Sequence, residues 1–281
     1  MYFSSSECII WVTVFAAEFL AIVIVNLLSI IVFIKNKSLR TRRMYLVISL
    51  TVADILAGGL SGSVFLFKVP AWKSCDFEEV YPVVPLISLT NITVISLERM
   101  HATFRPLRHR LVKRWVYVVA IAVVWVFPGI AAGLEKERKI LKICVNFLWE
   151  AHSILCLFVV FASYTSIFLK FRFRAHPQRH FAANLRQKKL TVTLFITTLV
   201  SLLLWLPYSI FVFLSWSTDI LSSLSFQEYF DLKYSLIFLF FANSLVNPIL
   251  YTVRMPDFKK ALLSLFRRHQ RENVAIPLNH Y

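Results

Sequence analysis

Seven long runs that carry almost no charge dominate this chain, at about 9–34, 44–68, 77–101, 115–134, 148–173, 190–216 and 230–252. A helix needs about 20 predominantly apolar residues to cross a bilayer's hydrocarbon core, so each run is long enough. A transmembrane barrel would show segments of about 10 residues alternating apolar with polar, whereas these runs are solid. Composition agrees, with 58% hydrophobic residues, 16% charged ones, and 26 Phe against 5 Gly. Mean hydropathy is +0.67. The expected fold is an all-α membrane protein, a seven-transmembrane helix bundle forming one domain over residues 1–281. A short amphipathic C-terminal helix is expected at about 257–268, with Phe258, Leu262, Leu265 and Phe266 as its apolar stripe. Its basic residues suit a membrane surface.

An odd number of crossings puts the two termini on opposite sides. Of 31 Lys and Arg, only Lys68, Lys73, Lys136, Arg138, Lys139, Lys142 and Lys233 fall on one side; the other 24 lie in the turns near 35–43, 105–114 and 170–189 and in the tail. Lys/Arg-rich short loops stay cytoplasmic, so the N-terminus is expected outside and the C-terminus inside. The net charge of +16 then needs no nucleic acid. Basic inner loops meet anionic membrane lipid, and an intracellular partner can use them as well.

The polar residues inside the runs are few. A charge at the centre of a membrane helix costs roughly 2.5–3.5 kcal/mol, so each one needs a reason. Asn26 lies in the middle of the first run and can hydrogen-bond across helices. Glu18 lies about two turns outward of it. A lone carboxylate there is either functional or protonated, and the residues around it leave both readings open. Asp54 is a single acid near the middle of the second run, where a hydrated interior with polar partners or a cation would hold it. The third run ends in Glu98-Arg99-Met100, an acid beside a base at a membrane edge. In the sixth, Leu204-Trp205-Leu206-Pro207 places a proline within a span, which frees a carbonyl and makes a bend. In the seventh, Asn243, Asn247 and Tyr251 recur every four residues on one helical face. His101 and His109 fall in basic inner loops and read as solvated. Cys75 and Cys144 both lie in loops on the oxidising side, where a disulfide is allowed.

These motifs in this order resemble the rhodopsin-like (class A) G-protein-coupled receptors over nearly the whole chain. The residues that carry the likeness are Asn26, Asp54, Glu98-Arg99, Trp125, Trp205-Leu206-Pro207, Asn247-Pro248-Ile249-Leu250-Tyr251 and Asp257-Phe258. The resemblance implies a plasma-membrane receptor for an extracellular ligand, which activates a heterotrimeric G protein by opening an inner cavity. It implies that Arg99, beside Glu98, meets the G protein, with Tyr164 and Tyr251 swinging in to support it. Trp205 would floor a ligand pocket that includes Tyr81 and Phe241. Pro207, Asn247 and Pro248 would form the switch and hinge. Asp54, Ser88, Asn243, Ser244 and Asn247 match the family's sodium pocket, and Cys75 with Cys144 its disulfide. No other cofactor is expected.

The chain also departs from the family pattern. Met100 stands where the family commonly has Tyr, and Ser201 replaces a Phe one turn inward of Trp205. Gln187 occupies the place of an acid that usually faces the third-span arginine. With that acid missing, a weak inner lock and raised basal signalling are expected. Neither Val80 nor Tyr81 is an aspartate, so the third-span salt bridge of amine receptors is absent. The alternatives are a receptor-like protein with constitutive or non-classical signalling, or a small transporter. No inverted repeat favours a transporter. No metal-spaced His/Glu cluster or nucleophile elbow favours an enzyme.

Overall fold

The computed structural model describes residues 5–36, 44–68, 83–135, 139–173, 196, 199–215, 220–254, 256 and 258–265. Among them the regular structure is helical: α1 (Ser5–Lys35), α2 (Met44–Lys68), α3 (Val83–Phe104), the short α4 (Pro106–Arg110), α5 (Arg114–Glu135) and α6 (Lys139–Phe173). Then come α7 (Leu199–Ser215), a 3-10 turn at Ile220–Ser223, α8 (Phe226–Arg254) and α9 over 258–265. Within these, Ile9–Lys35, Met44–Ser63, Phe147–Lys170 and Phe226–Leu250 are long and apolar enough to cross a membrane. Arg114–Ile130 and Leu199–Ser215 are shorter apolar stretches.

The seven long helices differ in what surrounds them. On α5, Val118, Val123, Val126 and Ile130 point outward. Exposed Val and Ile in such a row suit hydrocarbon, not water. α3 packs against α2, α5 and α6, so most of its surface meets protein. That position tolerates its polar content: Ser88, Asn91, Thr93 and Ser96 are all buried. Several close hydrogen bonds within α3 itself, such as Asn91 Nδ2 to the Ile87 carbonyl (2.9 Å) and Ser96 Oγ to the Thr93 carbonyl (2.7 Å).

α1 and α2 approach closely because glycine faces the contact. A Cβ on Gly58 would stand 2.8 Å from Ile22 Cγ2, and one on Gly62 would stand 3.0 Å from Phe19 Cβ. Small residues at a helix crossing are the usual means of tight packing in membranes, where apolar burial alone gives no drive to associate. At the other end of α1, Phe258 of α9 is buried against Phe33, ring centroids 5.2 Å apart, among Val32, Met44 and Val47. Leu262 and Leu265 pack against the same group, while Lys259 and Lys260 stay exposed. The expected apolar stripe of the terminal helix is thus partly a plug between α1 and α2. Phe266 lies outside the described residues.

Candidate functional site

A seam of buried polar side chains runs through the bundle, and Asp54 is its centre. Its carboxylate is fully buried. Ser244 Oγ donates to Oδ1 at 2.8 Å and Asn247 Nδ2 donates to Oδ2 at 2.9 Å, both from α8. Ser88 of α3 stands beside the carboxylate, but its Oγ makes no well-aligned hydrogen bond. Asn26 joins α1 to the same place, with Nδ2 donating to the Ser244 carbonyl at 3.1 Å and to the Ile22 carbonyl at 2.9 Å. Asn243 is buried on α8, with its Oδ1 unpartnered among the described residues. Four helices therefore meet at one carboxylate. The free Ser88 Oγ and Asn243 Oδ1 are the oxygens a hard cation would add to that carboxylate, so the residues present fit a sodium ion. No group of three or more His, Cys, Asp or Glu suited to a heavier metal occurs among the described residues.

One layer away along α8 sits an aromatic block. Trp205 is buried with its ring centroid 4.3 Å from Phe240, and Phe240 meets Phe241 edge-on at 5.4 Å and Tyr208 at 5.0 Å. Among the described residues Trp205 Nε1 has no hydrogen-bond partner, nor has the buried Ser201 Oγ, four residues earlier in α7. Of the three expected pocket residues, Trp205 and Phe241 are brought together, but through Phe240. Sequence reasoning passed over Phe240, because an aromatic in a Phe-rich run gives no signal of its own. Tyr81 lies outside the described residues. Pro207 and Pro248 lie inside α7 and α8.

At the Arg99 end of α3, Arg99 Nε stands 3.2 Å from Glu98 Oε2. The same carboxylate has a second neighbour: His109 Nε2 is 3.1 Å from Oε1, and both side chains are only 9% exposed. His101 Nδ1 lies 3.2 Å from His109 Nδ1. The expectation of a solvated His109 is therefore wrong. Pro106 opens the short α4, which folds His109 back beneath α3. Periodicity does not reveal a turn that short. Tyr164 of α6 is buried in a neighbouring apolar group with Leu50, Ile92 and Ile167, against which Met100 packs. Tyr251 lies on α8 with its side chain outside the described residues; Cys144, expected in a loop, lies within α6, because the helix starts at Lys139, and its side chain is likewise outside them, while Cys75 and Gln187 are wholly outside.

Two further polar groups in α6 went unremarked in the sequence, although both interrupt an apolar run. His152 Nε2 lies 2.9 Å from Thr90 Oγ1 of α3 and 3.5 Å from Cys156 Sγ. Glu150 is half-buried, with Oε2 unpartnered among the described residues. In α5, Trp125 donates from Nε1 to Ser49 Oγ of α2 at 3.0 Å.

Comparison with known proteins bears directly on this arrangement. The family described as 7 transmembrane receptor (rhodopsin family) matches residues 25–251. The chain belongs to that family. The histamine H2 receptor of Cavia porcellus is 26% identical over 87% of this chain and 77% of its own length. The neuropeptide Y receptor type 2 of Homo sapiens is 27% identical over 89% of this chain and 74% of its own. The substance-K receptor of Homo sapiens is 25% identical over 94% and 74%. As a rhodopsin-family receptor, the protein is a seven-transmembrane helix bundle and a multi-pass protein of the plasma membrane. It senses an extracellular ligand and activates a G protein, and it is not an enzyme.

Proposed function

We propose that this receptor works as a two-state switch whose resting state is held by the Asp54 knot, with the N-terminus outside and the C-terminus in the cytosol. The observation that carries the reading is the convergence of α1, α2 and α8 on Asp54, one layer inward of the Trp205–Phe240–Phe241 block. A ligand that pushes on that block acts on α7 and α8 together. Pro207 is the bend about which α7 moves, and Asn247-Pro248 is where α8 adjusts. Opening at the basic end then exposes Arg99 to a heterotrimeric G protein, with Tyr164 and Tyr251 turning in behind it. A sodium ion held by Asp54, Ser88, Asn243, Ser244 and Asn247 favours the resting state. It does so only through tighter binding to that state. Cys75–Cys144 ties the segment before α3 to the first turns of α6.

The inner lock of this receptor is weak. Glu98 is shared between Arg99 and His109, and no other acid pairs with Arg99 among the described residues. Basal signalling is therefore raised. Inner-leaflet lipid is a further partner: a cavity of about 780 Å³ between α2, α3, α4 and α5 is lined by Leu97, Leu111 and Trp115, with Arg108 and Lys113 among its basic residues. Relatives include receptors named for an amine and for peptides, so the ligand is sought in both classes. The test is second-messenger output without ligand in cells at verified surface expression. Output above vector-only cells that Arg99→Ala removes is expected. Output equal to vector-only cells counts against the weak lock, and N-terminal tags reachable only after permeabilisation count against the orientation.

A further inference from the structure

Glu18 is the one buried acid whose carboxylate has no partner among the described residues at either oxygen. Its side chain is 4% exposed, and both Oε1 and Oε2 lack a hydrogen bond. It belongs to the face of α1 that meets the rest of the bundle, together with Phe15, Phe19, Ile22 and Asn26. Aromatic rings bracket it along that face. Phe15 meets Tyr234 at 5.9 Å, and Phe19 meets Phe241 edge-on at 5.0 Å. Seven residues outward, roughly 10 Å along the helix, Trp11 Nε1 donates to Asp231 Oδ1 at 3.1 Å. That exposed pair joins the outer parts of α1 and α8.

We propose that Glu18 is the counter-ion for an organic cation, a primary ammonium or guanidinium group carried by the extracellular ligand. Burying an uncompensated carboxylate is unfavourable, and an opposite charge brought to it is correspondingly favourable. The surroundings select the kind of cation. A hard ion needs several oxygen ligands, which Asp54 has and Glu18 lacks. Rings flanking a carboxylate suit an organic cation, which gains from their faces as well as from the charge. Asp231 and Glu228 are exposed at the outer end of α8, where they attract a cation toward α1; Lys233 opposes them. The ligand thus engages α1 and α8, not the third-span position that amine receptors of this family use. The proposal deepens the receptor reading above and rests on its orientation.

The test uses the purified full chain and matched probes: 2-phenylethylammonium against 2-phenylethanol, and low-millimolar guanidinium against urea. Thermal stability is followed for the native chain, Glu18→Gln and Glu18→Asp. At least one cation raises the native Tm, its neutral counterpart does not, and Glu18→Gln weakens apparent affinity about 30-fold or more; Glu18→Asp keeps part of the response. Absence of any cation-specific shift overturns the proposal. So does a shift that Glu18→Gln retains, or one that the neutral probes match. Nucleotide exchange on G protein in the same preparation separates the two readings. A cation shift without exchange counts against the receptor reading alone, and exchange without a cation shift against Glu18 alone.

Discussion

Two buried carboxylates, Asp54 on α2 and Glu18 on α1, sit in the same bundle and have opposite surroundings. Asp54 accepts from Ser244 and Asn247 of α8, with Ser88 of α3 beside it and Asn26 of α1 tied to the Ser244 carbonyl. Glu18 has rings along its face and no donor among the described residues. Burial is nearly equal, so burial does not distinguish their roles. What distinguishes them is whether the protein itself supplies the partners. A carboxylate whose partners are built in holds helices together. One whose partners are missing is kept for something that arrives.

Substitution should therefore act differently at the two positions. The largest effect is expected for Asp54→Ala. It leaves the Ser244 hydroxyl and the Asn247 amide unpaired in a dry interior, at about 1–3 kcal/mol for each group left unsatisfied. Tm should fall sharply, and any sodium dependence of Tm or of agonist binding should vanish. A sodium response that survives would break the assignment of the ion to this knot. Next comes Gly58→Ala, whose new methyl must displace Ile22. Overpacking of this kind costs about 1–3 kcal/mol, read as a lower Tm. An unchanged Tm would mean that α1 is not held tightly against α2, and Glu18 would then not be held in place.

Smaller effects sharpen the contrast further. Glu18→Gln has no hydrogen bond to lose and cannot carry an unpaired charge, so the ligand-free chain should be no less stable than the native one, with any gain on the order of 1 kcal/mol. A fall comparable to that of Asp54→Ala would make the two acids alike and remove the comparison. Trp11→Phe deletes one exposed hydrogen bond to Asp231 and should cost about 0.5–1.5 kcal/mol or less. Its useful readout is kinetic: faster association and dissociation of a cation that binds Glu18, with little change in Tm.

Part of this was legible in the sequence. Asp54, Asn247 and Asn26 could be found because a lone polar residue in an apolar run costs too much to be accidental. The ordered motifs around them pointed to the family. Trp205 and Phe241 were implied by the resemblance, but their link through Phe240 depends on how α7 and α8 pack, which no local pattern encodes. Glu18 was visible as a residue and unreadable as a role, since a sequence shows an acid but not the absence of its partners. His109 was misread because five residues of α4, opened by Pro106, reverse the chain and return the imidazole to Glu98. Glu150 and His152 were missed although both break the apolar run of α6. Their meaning comes from α3 and α7, which supply Thr90 and Tyr208 as neighbours.

The most direct test of the switch is nucleotide exchange on purified heterotrimeric G proteins by the purified receptor, with and without sodium, and with Arg99→Ala as control. The account predicts exchange above the receptor-free rate without ligand, suppressed by sodium in the native chain, unaffected by sodium in Asp54→Ala, and absent in Arg99→Ala. Exchange at the receptor-free rate across the G-protein types, or exchange that Arg99→Ala leaves intact, would contradict it.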